Sequence, residues 1–256
     1  GSWITFNVGD DPVARNHCTA VIRAFLESGG RMIDSSPMYG SSQSVIGYAL
    51  RKLGHPSRVF SADKVWTGFG EERADQIDES AAHWGVGRFD LLQIHNLLAW
   101  KAHMQPLLAM KRRGELRYVG VTTSHGRRHE ELESILRSQP VDFVQLTYNP
   151  IDREVERRLL PLARDRGIAV IVNRPFRQGA LIRRVERSPL PDWAAEIGCR
   201  SWAQVILKWI ISHPAVTCAI PATSVVAHAR ENMDAARDAL PDEAMRLRIA
   251  ERIAGI

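Results

Sequence analysis

Short apolar runs and longer amphipathic stretches alternate along the whole chain. The strand-like runs lie at 31–34, 58–64, 89–95, 117–122, 141–146, 168–173 and 216–220. Between them, at 17–28, 43–53, 72–84, 104–113, 130–137, 153–166 and 201–212, apolar residues recur every third or fourth position, as a helix buried on one face requires. The terminal DEAMRLRIAERIAGI reads as one more helix. Repeated strand-then-helix units with strands apolar on both faces imply a parallel sheet. Seven units are visible, and they predict an α/β chain folded as a (β/α)8 TIM barrel. Its missing strand is expected, incomplete, at residues 1–5. No Pro-, Gly- or Ser-rich linker divides the chain, so one domain over 1–256 is expected. An open doubly wound sheet would carry G-x-G-x-x-G after its first strand. The nearest match, Gly68-Phe69-Gly70-Glu71-Glu72-Arg73, lacks the third glycine and reads as a loop entering a helix.

Composition narrows the function classes. At 45% hydrophobic and 25% charged residues, the chain is ordinary for a globular protein. It has no apolar run of about eighteen residues, so no membrane span or membrane partner is expected. The opening GSWITFNVGDD lacks the basic-then-apolar order of a leader, and a cytoplasmic location is expected. Cys18, Cys199 and Cys218 are odd in number, widely spaced and without a CxxC pair. They argue against a disulfide framework and against a metal site. The net charge of +5 is spread over short pieces such as Lys111-Arg112-Arg113, Arg127-Arg128, Arg157-Arg158 and Arg183-Arg184. None is interleaved with aromatics, so solvated helix faces explain them better than nucleic-acid binding. A basic surface can still attract a polyanionic cofactor.

In such a barrel, active sites form where strands end at the C-terminal face. Three consecutive strand candidates end there in ionisable residues: Asp34, followed by Tyr39 on the loop, then Lys64, then His95. Singly, Asp34 can cap the helix near Ser41, Lys64 can be solvated, and His95 can be a hydrogen-bonded core residue. Together at one rim they make chemical sense. A tyrosine hydroxyl with a pKa of about 10 is a poor donor at neutral pH. A neighbouring lysine cation stabilises the phenolate and lowers that pKa. A carboxylate keeps the lysine charged and placed, and a histidine orients a carbonyl oxygen towards the phenol.

The chain resembles the aldo-keto reductase superfamily over nearly its whole length. The resemblance rests on GGRMIDSSPMYGSSQSVIGYALRK, VFSADKVW, FDLLQIHN, ELRYVGVTTS, VDFVQLTYNP, GIAVIVNRPFRQGAL, AQVILKWIISHP and IPATSVVAHARENMDAA, in family order and spacing. It implies the (β/α)8 fold, a nicotinamide cofactor held without a Rossmann domain, and reversible carbonyl reduction. By position it makes Tyr39 the general acid, Lys64 and Asp34 the groups that tune it, and His95 the group that positions the carbonyl.

The same resemblance assigns cofactor contacts. The family's Ser-Asn pair and glutamine for the nicotinamide amide correspond to Thr122, Thr123 and Gln145. Asn173 stands where many relatives stack a tyrosine on the nicotinamide ring, leaving Arg174, Phe176 or Trp3 to cover it. Pro175, Phe176, Arg177, Gln178 and Gly179 lie where relatives clasp the pyrophosphate. Glu231 and Asn232 align with adenine contacts. Ala222 and His228 replace the usual cations for a 2′-phosphate, leaving Thr223, Ser224, His228 or Arg230 to serve there. NADP(H) is the expected cofactor, with NAD(H) as the alternative. Trp3 and Trp66, with Trp100 and Phe69, are candidates for the apolar wall of the substrate pocket. The expected protein is thus an oxidoreductase, a monomer or small homo-oligomer acting on a small carbonyl compound. The competing expectation is a cofactor-binding regulatory or assembly subunit with little turnover.

Overall fold

The first helix, α1 (Pro12–Glu27), starts where the sequence supplies a start. The Asp11 carboxylate accepts the N–H of Val13, and Pro12 sits in the first turn, where an N–H has no partner to lose. Helix α1 buries Cys18, Val21, Ile22, Ala24 and Leu26 on one face. The computed structural model describes residues 1–256, which group into two compact units.

The first unit comprises Gly1–Thr122, Val141–Phe143 and Ala222–Ala229. Its strands β1 (Met32–Asp34), β2 (Phe60–Val65), β3 (Leu91–Ile94) and β4 (Tyr118–Thr122) pair in chain order, all parallel. Helices α2 (Ser42–Lys52), α3 (Arg73–Trp84) and α4 (Trp100–Arg113) connect them. Val45, Ile46 and Ala49 of α2, Trp84 of α3 and Leu107 of α4 are fully buried with Ala62, Leu91, Val119 and Val121 of the strands. Each large apolar side chain buried in this way contributes about 1.5–3 kcal/mol relative to an exposed one. The register sets Lys64 of β2 beside Gln93 of β3, and Gln93 beside Gly120 of β4. The strand expected at residues 1–5 does not form. Ile4 takes a left-handed backbone at φ 63°, and Thr5 and Phe6 donate back to Trp3 and Ser2, which closes a turn. The Ser2 hydroxyl instead donates to the carbonyl of Asp34 at 2.9 Å.

The second unit comprises Thr123–Pro140, Val144–Pro221 and Arg230–Ile256. Strands β5 (Phe143–Thr147), β6 (Ala169–Asn173) and β7 (Cys218–Ala219) follow one another in sheet order, with Ile171 opposite Cys218. The helices are α5 (His129–Ser138), α6 (Leu159–Asp165), α7 (Ala180–Val185), α8 (Trp202–Ile211), α9 (Val226–Asp234) and α10 (Glu243–Ala254). The helix predicted over 153–166 begins only at Leu159, after a short 3-10 turn. Pro161 explains the delay: it lacks an N–H and is tolerated only in a first turn. Helix α10 is held to α8 by Arg246, whose guanidinium lies 4.5 Å from the Trp209 ring centroid and donates to Ser212 Oγ at 2.7 Å. Lys208 of α8 is fully buried and donates to the carbonyls of Arg237 and Ala239 at 2.5 and 2.9 Å.

Several residues of the basic pieces are paired with carboxylates, for example Lys111 with Asp142, Arg113 with Glu115 and Arg158 with Glu133. Cys18 and Cys199 are buried thiols. No helix is long and apolar enough to cross a membrane.

Candidate active site

The four chemistry-bearing residues of the first unit converge. Asp34 ends β1 and Lys64 lies near the end of β2, while His95 follows β3 directly. Tyr39 closes a 3-10 turn, Pro37–Tyr39, that the sequence encodes closely. Ser36 caps it by accepting the N–H of Met38, and Pro37 presets its first backbone angle. Gly40 then leaves in a left-handed conformation, φ 59°, with the Asn7 amide where a Cβ would stand. The same amide oxygen accepts the N–H of Ser41 at 3.0 Å, which pins the loop beyond Tyr39.

Lys64 donates to Asp34 Oδ2 and to the carbonyl of Ser35, both at 2.7 Å. Its ammonium lies 5.1 Å from the centroid of the Tyr39 ring. The His95 ring meets the Tyr39 ring edge-on, with centroids 5.7 Å apart at 87°. Asp34, Lys64 and His95 are buried and Tyr39 half-buried. Burial opposes the charge on Lys64, but Asp34 and Tyr39 outweigh it and hold the ammonium above its ordinary range. Burial also pushes His95 down to about 3, aided by the Lys64 cation, so its imidazole is neutral at physiological pH. The Tyr39 hydroxyl departs from the expectation. Lys64 does pull its pKa down, but burial is the larger effect and the net displacement is upward. Tyr39 therefore stays protonated at neutral pH.

Three supporting contacts have no counterpart among the sequence-predicted residues. Ser36 Oγ lies 2.8 Å from His95 Nδ1. Gln93 donates to Asp34 Oδ1 at 3.3 Å. Behind Lys64, the buried Asp63 accepts Trp84 Nε1 at 2.6 Å, Gln43 Nε2 at 2.8 Å and the N–H of Lys64 at 2.8 Å. The available signal was polar residues inside predicted buried strands, Gln in FDLLQIH and Asp in FSADKV.

The candidate wall residues lie in the same unit. Trp3 sets its ring 6.5 Å from that of Tyr39, and more than a third of its surface is exposed. Trp66, one residue beyond β2, is exposed, with its backbone N–H and carbonyl both bonded to Gln76. Thr122 is buried and its hydroxyl accepts the N–H of Asn96 at 2.8 Å. Thr223 Oγ1 accepts the N–H of Val225, and the carbonyl of Ser224 meets His17 Nε2 at 2.6 Å. Ala222 and His228 are exposed.

In the second unit, Asn173 is the hub of a buried polar group. It donates to the carbonyl of Thr123 at 2.8 Å, reaches Gln145 Oε1 at 3.5 Å and accepts Thr147 Oγ1 at 2.7 Å. Amide and hydroxyl groups at adjoining strand ends suit a ligand amide. Beyond Asn173 the loop holds Arg174, Arg177, Gln178 and Gly179 in left-handed conformations. For the three non-glycines this costs about 1–3 kcal/mol each, strain that clusters at ligand sites. Pro175 is buried, Phe176 half-buried, and Arg177 pairs with Asp152 at 3.2 Å. Glu231 and Asn232 are half-buried on α9, and the carbonyl of Glu231 accepts Gln204 Nε2. The donor set fits a nicotinamide and its pyrophosphate. A 2′-phosphate finds weaker provision, since Ala222 carries no charge.

A profile of the aldo/keto reductase family matches residues 1–249. Methylglyoxal reductase YeaE of Escherichia coli is 27% identical over 239 residues, covering 91% of this chain and 82% of its own. An NADH-specific methylglyoxal reductase of the same organism is 25% identical over 230 residues, covering 76% and 68%. An aldo/keto reductase from Klebsiella pneumoniae, solved with NADP and acetate, superposes with a TM-score of 0.82 at 23% identity. That match covers 99% of this chain and 89% of the other. It shows the fold to be the (β/α)8 kind, here with seven parallel strands.

Proposed function

Because the chain belongs to the aldo/keto reductase family, we propose that it reduces an aldehyde or ketone to an alcohol with NADPH, using Tyr39 as the general acid. The observation that carries this reading is the Lys64 ammonium, 2.7 Å from the Asp34 carboxylate and 5.1 Å from the Tyr39 ring centroid. When bound, the nicotinamide cofactor supplies hydride to the carbonyl carbon. As negative charge grows on the carbonyl oxygen, Tyr39 gives up its proton, and the phenolate forms beside a cation that is already in place. Asp34 keeps that cation charged and oriented. The neutral His95 imidazole donates an N–H to the carbonyl oxygen and aligns it with the phenol.

In the first unit, Thr122, Thr223 and Ser224 are assigned to the cofactor. In the second, Gln145 is assigned to the amide, residues 174–179 to the pyrophosphate, and Glu231 and Asn232 to the adenine. NADPH is preferred over NADH, with Thr223, Ser224 and His228 serving the 2′-phosphate. Trp3 and Trp66 wall the substrate side. The names of two relatives make methylglyoxal the first substrate to try. The test follows NADPH and NADH consumption against a panel of aldehydes and ketones that includes methylglyoxal. Turnover with NADPH is expected. Tight NADPH binding without turnover of any carbonyl would favour a regulatory subunit.

A further inference from the structure

Strand β3 is apolar except for Gln93, which is fully buried. Its neighbours across the sheet are Lys64 and Gly120. One end of its amide reaches Asp34 Oδ1 at 3.3 Å, while Lys64 holds the other oxygen of the same carboxylate at 2.7 Å. The other end, Oε1, is buried without a hydrogen-bond partner. A methionine would fill the same volume and leave no buried acceptor unpaired, so packing does not explain an amide here.

Gly120 sharpens the point. A Cβ there would stand 3.0 Å from Gln93 Cγ and 3.0 Å from the carbonyl of Phe143. With backbone on the other side, a Cβ at position 120 would press the Gln93 side chain aside by a few tenths of an ångström.

We propose that Gln93 is a positioning residue of the proton-donor site, fixing the plane of the Asp34 carboxylate so that the Lys64 ammonium stays against the Tyr39 ring. A carboxylate held through one oxygen pivots about its own stem. A second donor on the other oxygen removes that freedom. Lys64, anchored to the fixed carboxylate and to the carbonyl of Ser35, then presents its charge to the phenol in one geometry. The role rests on Tyr39 acting as the acid of the proposed reduction.

The test compares wild type, Gln93→Met and Gln93→Glu in the full chain. The Tyr39 phenol is titrated by the phenolate absorbance difference between each protein and its Tyr39→Phe counterpart, which needs no turnover. Rates with NADPH and a carbonyl are followed over the same pH range. For Gln93→Met, kcat should fall about tenfold to a hundredfold with KM little changed, and the Tyr39 titration should move to higher pH. In Gln93→Glu the introduced carboxyl donates to Asp34 when protonated and repels it when ionised. That variant should match wild type on the acid side and lose activity as the pH rises. Superimposable Tyr39 titrations and pH profiles in all three proteins overturn the proposal, even if kcat falls. Should Gln93→Met fail to fold by circular dichroism, an unchanged profile in Gln93→Glu overturns it alone. A wild type that turns over no carbonyl defeats the proposed activity, and the phenol titration still decides the role of Gln93.

Discussion

Ser36 Oγ stands 2.8 Å from His95 Nδ1 and also accepts the backbone N–H of Met38 at 3.2 Å. A hydroxyl that donates to Nδ1 leaves the imidazole proton on Nε2, the tautomer that the proposed N–H contact to a carbonyl oxygen requires. Ser36→Ala should lower kcat/KM about tenfold, or ~1.4 kcal/mol, chiefly through KM for the carbonyl. Steady-state kinetics at fixed saturating NADPH check this.

His95 should add no bend to the pH profile in the range where histidines usually titrate. His95 is held down at about 3 by burial and by Lys64, and burial keeps Tyr39 above its ordinary value of 10.0. Between about pH 5 and 9 neither group changes state. A bend in log kcat/KM near pH 6.5, assigned to His95 by its loss in a His95→Gln variant, would contradict a neutral imidazole.

Asp63 predicts a stability effect of definite sign. Burial raises its carboxyl from 3.8 to about 7 in spite of the Lys64 cation and the Gln43 and Lys64 hydrogen bonds. Between those values the folded chain keeps a proton that the unfolded chain has released. The contribution is therefore complete below about pH 4 and is lost as the pH rises to about 7. Relative to Asp63→Asn, wild type should lose about 2 kcal/mol of unfolding free energy between pH 5 and 8. Urea unfolding of both proteins at the two pH values measures it. Parallel changes in the two would rule out this titration.

The Lys64–Asp34 pair is buried on both sides. Lys64→Met leaves an uncompensated carboxylate and should destabilise the fold by about 3–5 kcal/mol. Asp34→Leu/Lys64→Met should recover most of that loss, since apolar replacement of both partners removes the desolvation penalty. Neither variant should turn over a carbonyl. Denaturant midpoints and rates together separate the two roles.

Much of this was legible in the chain. Short apolar runs and period-3.6 patterning located seven strands and most of the helices, because burial on defined faces leaves that imprint. Asp34, Tyr39, Lys64 and His95 stood out as ionisable residues at successive strand ends. What stayed hidden depended on contacts between distant residues. The net direction of the Tyr39 shift turned on how strongly burial offsets Lys64. The late start of α6 was written in Pro161, but only tertiary packing showed that the preceding residues form a separate turn. Residues 1–5 carry an apolar pattern that a strand would share, yet Ile4 adopts a left-handed turn. Asn173, unfit for ring stacking by its chemistry, proved to be bonded to Thr123, Gln145 and Thr147, partners far apart in sequence.

The proton-donor role of Tyr39 is tested most directly by Tyr39→Phe, which removes one hydroxyl and little else. NADPH oxidation with methylglyoxal, or the best carbonyl of the panel, is compared with NADPH affinity from fluorescence titration. Turnover should fall by about 10²–10⁴-fold while the cofactor binds within about twofold of wild type. Turnover retained at the wild-type level in Tyr39→Phe would show that the proton comes from elsewhere.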